Sequence, residues 1–98
     1  MAKYLILWEE DMSKVPTDPT EQAALTQKHM ELTKKALDEG QITDWGIFAG
    51  GGAGYAIGEG EAADMFKGAM QFTPHVKFKA ITVLSLNEVT EVMKSMMG

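Results

Sequence analysis

The sequence predicts an α+β domain of ferredoxin-like βαββαβ arrangement, with a four-stranded antiparallel sheet and an added C-terminal helix. Three observations carry this. Hydrophobic patterning alternates between period two and period 3.6 in the order strand, helix, strand, strand, helix, strand, helix. The second and third strands are joined by a glycine-rich connection that reads as a hairpin. At 98 residues the chain has room for one small domain, residues 1–98, and no more.

The first strand is Lys3–Glu9, KYLILWE, with Tyr4, Ile6 and Trp8 on one face and Leu5, Leu7 and Glu9 on the other. Both faces are largely apolar, which predicts a strand covered on both sides. A polar linker, EDMSKVPTD, ends in a helix start: Asp18 as N-cap, Pro19 at the first helical position and Glu21 at the positive helix end. The helix runs to about Glu39 and stops at Gly40. Leu25, Leu32 and Ala36 form its apolar stripe, with Met30 and Leu37 beside it, opposite Lys28, Glu31, Lys35 and Asp38.

Ile42–Ala49 alternates Thr43, Trp45, Ile47 and Ala49 against Ile42, Asp44, Gly46 and Phe48. Gly54–Glu59 is the third strand. Glu61–Phe72 places Ala62, Phe66, Ala69 and Met70 at helical spacing and closes before Pro74. His75–Leu84 is the last strand, with Val76, Phe78, Ala80, Thr82 and Leu84 opposing Lys77, Lys79, Ile81 and Val83. Ser85 and Glu88 fit a capping box, with Asn87 as the other candidate cap, and the final helix carries Val89, Val92, Met93 and Met96. Two helices then cover one face of the sheet. The other face keeps many apolar residues, the mark of an interface, so a homodimer formed through the sheet is expected.

The run GIFAGGGAGYAIGEG invites a phosphate-loop reading. A dinucleotide fingerprint requires G-x-G-x-x-G between a strand and a helix, whereas Gly52 and Gly54 are followed by Ile57 and a strand pattern. The Lys and Ser/Thr of a P-loop are also missing. The run is expected to turn the chain.

Composition narrows the function classes. A net charge of −5 with scattered lysines argues against a nucleic-acid surface. With no cysteine, disulfides and thiolate chemistry are excluded. No apolar run approaches the ~18 residues of a membrane span, and the N-terminus lacks a signal-peptide cleavage pattern. A cytoplasmic protein without membrane or nucleic-acid partners is the expectation.

The layout KYLILWE, LDEGQI, DWGIF, GYAIGEG and PHVKFKAITVLSL resembles the dimeric α/β-barrel superfamily, which includes YCII-related proteins, muconolactone isomerase and antibiotic-biosynthesis monooxygenases. The resemblance is architectural and covers nearly the whole chain. It implies two sheets paired face to face around a small-molecule cavity. Where YCII-related proteins carry an acidic-Pro-aromatic stretch before the last strand, this sequence reads Phe72-Thr73-Pro74-His75.

The candidate chemistry follows from residue type and place. His75, beside Pro74 at a strand entrance, is the candidate proton-exchanging group, with Asp44 to set its tautomer. Trp8, Trp45 and Tyr55 are candidates to line a pocket for an apolar or aromatic ligand; their other reading is core or interface. His29, on the stripe of the first helix, reads as a packed histidine or as an acid–base group. Glu9, Glu10 and Asp11 lack any metal-binding spacing and read as a solvated turn, so no metal and no bound cofactor is expected. Lys77 and Lys79 read as edge protection or as groups for an anionic substrate. Met93, Met96 and Met97 form a soft stripe expected to pack on the sheet or on a neighbouring subunit. Two functions remain: a cofactor-independent enzyme or binder of a small apolar molecule, and a non-catalytic dimerising or ligand-sensing module.

Overall fold

The computed structural model describes residues 2–98. Its elements are β1 (Ala2–Glu10), α1 (Pro19–Asp38), β2 (Ile42–Ile47), β3 (Ala53–Gly60), α2 (Ala62–Met70), β4 (Val76–Val83) and α3 (Leu86–Met97). The strands lie in the order β2-β3-β1-β4, and every neighbouring pair is antiparallel. This is the ferredoxin-like βαββαβ fold with a C-terminal helix. The two interleaved halves put β1 in the interior of the sheet between β3 and β4, which accounts for its apolar residues on both faces.

Local signals set most of the boundaries. The Asp18 carboxylate accepts a hydrogen bond from the Glu21 amide at 3.0 Å, starting α1. Gly40, at φ 77°, turns the chain out of it. At α3 the Ser85 hydroxyl accepts from the Glu88 amide, and the Glu88 carboxylate accepts from the Ser85 amide, a complete capping box.

The glycine run is a hairpin turn. The Phe48 amide donates to the Ala53 carbonyl, and the Gly51 amide to the Phe48 carbonyl, both at 2.8 Å. Gly51 and Gly52 take φ 78°, a conformation that disfavours any residue with a Cβ. A strand follows and not a helix, so no helix N-terminus meets the loop.

The alternation expected in β2 is corrected by a bulge. Ile42 pairs with Gly58 but Asp44 with Ile57, so Thr43 is the extra residue. Ile42 therefore shares a face with Trp45 and Ile47, while Asp44 and Gly46 lie on the other.

The body is lightly packed. Tyr4, Trp8 and Ala56 are its buried apolar residues. The radius of gyration is 16.3 Å, against about 13 Å for a compact domain of this length. The longest dimension is 62 Å. Every residue of α3 is exposed, so α3 stands off the body. Among the described residues no helix is long and apolar enough to cross a membrane.

Candidate binding cleft between the helices and the sheet

A helix layer normally closes on the apolar face of its sheet. Here the space between them is a cleft of ≈ 1100 Å³, floored by alternate residues of the strands and walled by α1 and α2. Tyr4, Ile6 and Trp8 of β1, Trp45 of β2, Ala56 of β3 and Phe78 of β4 reach it from below. Leu25, His29 and Leu32 reach it from α1, and Met65, Phe66 and Met70 from α2.

The floor is built around two stacked indoles. Trp8 and Trp45 lie 5.4 Å apart and within 7° of parallel, inside the range of favourable aromatic stacking. The Trp8 indole N–H donates to the Tyr55 carbonyl at 3.3 Å, so its polar atom is satisfied. Gly54, the strand partner of Trp8, makes room for the ring: a Cβ there would collide with the Trp8 six-membered ring and with the Gly46 carbonyl. The glycine content of β3 thus serves the tryptophan as well as the turn.

One end of the cleft is polar. The turn after α2, which contains a cis peptide before Pro74, brings His75 to the cleft beside His29 of α1. Their ring centroids are 5.8 Å apart. Phe72 packs at 5.1 Å from His29 and 5.6 Å from Phe78, walling this end with apolar surface. Glu10 also borders the cleft. Burial pushes the His29 pKa below its ordinary value; the neighbouring His75 and Lys28 push the same way, and Glu10 opposes them. At neutral pH His29 is therefore a neutral imidazole, able to donate through one nitrogen and accept through the other.

The candidate residues divide between the two faces of the sheet. Trp8, Trp45 and His75 meet in the cleft. Tyr55 pairs with Leu7 and Gly46 on the opposite face. There the Tyr55 hydroxyl donates to the Asp44 carboxylate at 2.8 Å, which raises the Tyr55 pKa. Asp44 also accepts from the Trp45 amide at 2.9 Å. The pairing of Asp44 with His75 is not made, because Asp44 alternates with Trp45 along β2 and, with Trp45 in the cleft, faces away from the helix side. The neighbour His75 does have is His29. Its signal was its place on the stripe of Leu25, Leu32 and Ala36; which element would come beside it was not encoded locally.

The acidic cluster expected as a solvated turn is corrected: Glu9 and Glu10 are the last residues of β1, and only Asp11 lies beyond it, half-buried. Asp11 accepts from the Ser13 amide and hydroxyl, which lowers its pKa, and lies 3.9 Å from Lys77. Among the described residues no three His, Asp or Glu side chains gather to hold a metal ion. No protein-family model matches this chain, and no curated protein is significantly similar to it.

Proposed function

We propose that the chain binds a small apolar or aromatic molecule in the cleft, with the His29–His75 pair as its polar, proton-exchanging end. The observation that carries this is the cleft's make-up: an aromatic and aliphatic chamber with a few convergent polar groups at one end. Ligand sites are built in that way, with apolar walls for affinity and a few polar groups for orientation. A flat ligand lies against the exposed edge of the Trp8–Trp45 stack, and its polar substituent meets the imidazoles. In this reading no bound cofactor takes part, and the imidazole of His29 or His75 moves a proton to or from that substituent as a general acid or base.

Kinship with the dimeric α/β-barrel superfamily, a cytoplasmic location and a homodimeric state belong to the same proposal. Leu5, Leu7, Ile57 and Ile81 on the other face of the sheet support the dimer, since no helix among the described residues lies on that face.

Tryptophan fluorescence tests the binding. Titration with a neutral bicyclic aromatic such as 2-naphthol is expected to give a saturable change in the wild type. Leu25→Trp, which fills the cleft from α1, is expected to weaken it at least tenfold. No saturable change up to millimolar ligand contradicts the reading.

A further inference from the structure

α3 is an amphipathic helix whose apolar stripe lies exposed among the described residues. Val89, Val92, Met93 and Met96 fall at i, i+3, i+4 and i+7, with Leu86 and Met97 beside them. All are exposed, Met96 to 76%. An isolated helix of about twelve residues is marginal in water, so its stability comes from packing that stripe on something. The mouth of the cleft has the complementary need: Met30, Phe66 and Met70 line it and are each more than half exposed, Phe66 to 67%.

We infer that α3 of a second copy of this chain seats its apolar stripe in the mouth of the cleft between α1 and α2, reciprocally in a two-fold pair that uses the helix side of the sheet and is separate from the sheet-to-sheet contact proposed above. Two features identify the occupant. The walls and floor of the cleft come from α1, α2, the sheet and the connections between them, while α3 stands clear of its own chain's mouth.

The area is also sufficient. Burying a side chain of this type removes on the order of 60–120 Å² from water, so the six on α3 offer about 400 Å². Counting the groove surface covered and the two-fold repetition, the exchange buries about 1,600 Å², the size of a standard stable interface. The α3 stripe and the cleft mouth of each chain are then covered by the other, and the open cleft becomes a closed chamber with the histidine pair inside.

The absence of cysteine gives a clean test. Met93→Cys and Phe66→Cys are placed in separate full-length chains, mixed and mildly oxidised, with Met96→Cys and Met70→Cys as a second pair. Because all four positions are exposed, circular dichroism of each reduced variant is expected to match the wild type. The expected result is a disulfide-linked species of twice the chain mass, at least tenfold more abundant in the mixture than with either variant alone. Two results overturn the inference: no mixed cross-link in either pair, or ready closure within one chain when both cysteines of a pair are placed in it. The first means that α3 seats elsewhere, on another part of the second copy or on a different partner; the second means that it folds onto its own cleft. The inference does not need the cleft to bind a ligand. Naphthol binding without the cross-link overturns it and keeps the function proposed above, and a cross-link without naphthol binding does the reverse.

Discussion

The two faces of the sheet are made from the same four strands and carry different chemistry. Toward the helices, β1 presents Tyr4, Ile6 and Trp8, and the stacked indoles sit on a glycine. Away from them the same strand presents Leu5 and Leu7, with Tyr55 and Asp44 bonded to each other nearby. Period-two alternation allows this: a single strand supplies alternate residues to two surfaces, and each surface is free to specialise. The aromatic face stands open to a chamber with titratable groups. The aliphatic face is bordered by Lys3, Lys77 and Lys79, with Glu9 and Glu59 among them, a pattern suited to association with control of register.

Substitutions that touch only one face sharpen this contrast. The largest expected effect is Trp8→Ala. It removes a side chain only 8% exposed together with its stacking partner's support, and by the behaviour of buried aromatics costs about 3–5 kcal/mol. Urea denaturation measures it, and Leu7→Ala, one residue away on the other face, is expected to cost clearly less.

Gly54→Ala comes next. The added methyl meets the Trp8 ring and the Gly46 carbonyl, an overpacking expected to cost about 1–3 kcal/mol. Gly68→Ala is the control of opposite sign. It lies inside α2 with open space where its Cβ would be, and is expected to stabilise by about 0.5–1 kcal/mol. Equal effects at the two positions would break the account of the tryptophan floor.

The pH dependence belongs to the cleft face. His29 has its pKa lowered in the folded state, so below the ordinary value near 6.5 the unfolded chain takes up the proton more readily. Its effect on stability is absent above that pH. As pH falls below about 6.5 stability is lost, down through the folded-state pKa. His29→Gln is expected to flatten this slope in denaturation measured between pH 7.5 and 5, while Tyr55→Phe on the other face leaves it unchanged.

The smallest effect is the one expected of Tyr55→Phe on ligand binding. The hydroxyl lost is bonded to Asp44 outside the cleft. Naphthol affinity within twofold of wild type is the expected outcome, and a tenfold loss would show that the two faces are not independent.

How much of this was legible in the sequence depended on how local each signal was. Asp18 and Pro19, Gly40, and Ser85 with Glu88 act within one helical turn, and the structure has the caps where the residue types placed them. The element order followed from periodicities that each segment carries by itself. The Thr43 bulge did not, because two residues opposing one is a property of a strand pair. The bulge moves Ile42 onto the face of Trp45 and Ile47, whereas Asp44 lies on the tyrosine side by ordinary alternation with Trp45. The approach of His29 to His75 depends on how α1 lies over the far end of the sheet, which no stretch of chain specifies alone. Gly54 was legible as a glycine in a strand, but its reason is the Trp8 ring across the ladder. The α3 stripe was legible in full, and it stays exposed among the described residues.

The central claim is that the aromatic face of the sheet, and not the aliphatic one, receives a small apolar molecule. The most direct measurement is an NMR titration of ¹⁵N-labelled protein with 2-naphthol, following the indole N–H signals of Trp8 and Trp45 and the backbone amides of both faces. Saturable shifts of the two indoles and of Phe72 and His75, with one dissociation constant, are expected. The amides of Leu32 and Met65 follow them, while that of Asp44 stays in place. Shifts centred on Asp44 and the Tyr55 side of the hairpin, with the indoles unmoved, would contradict it.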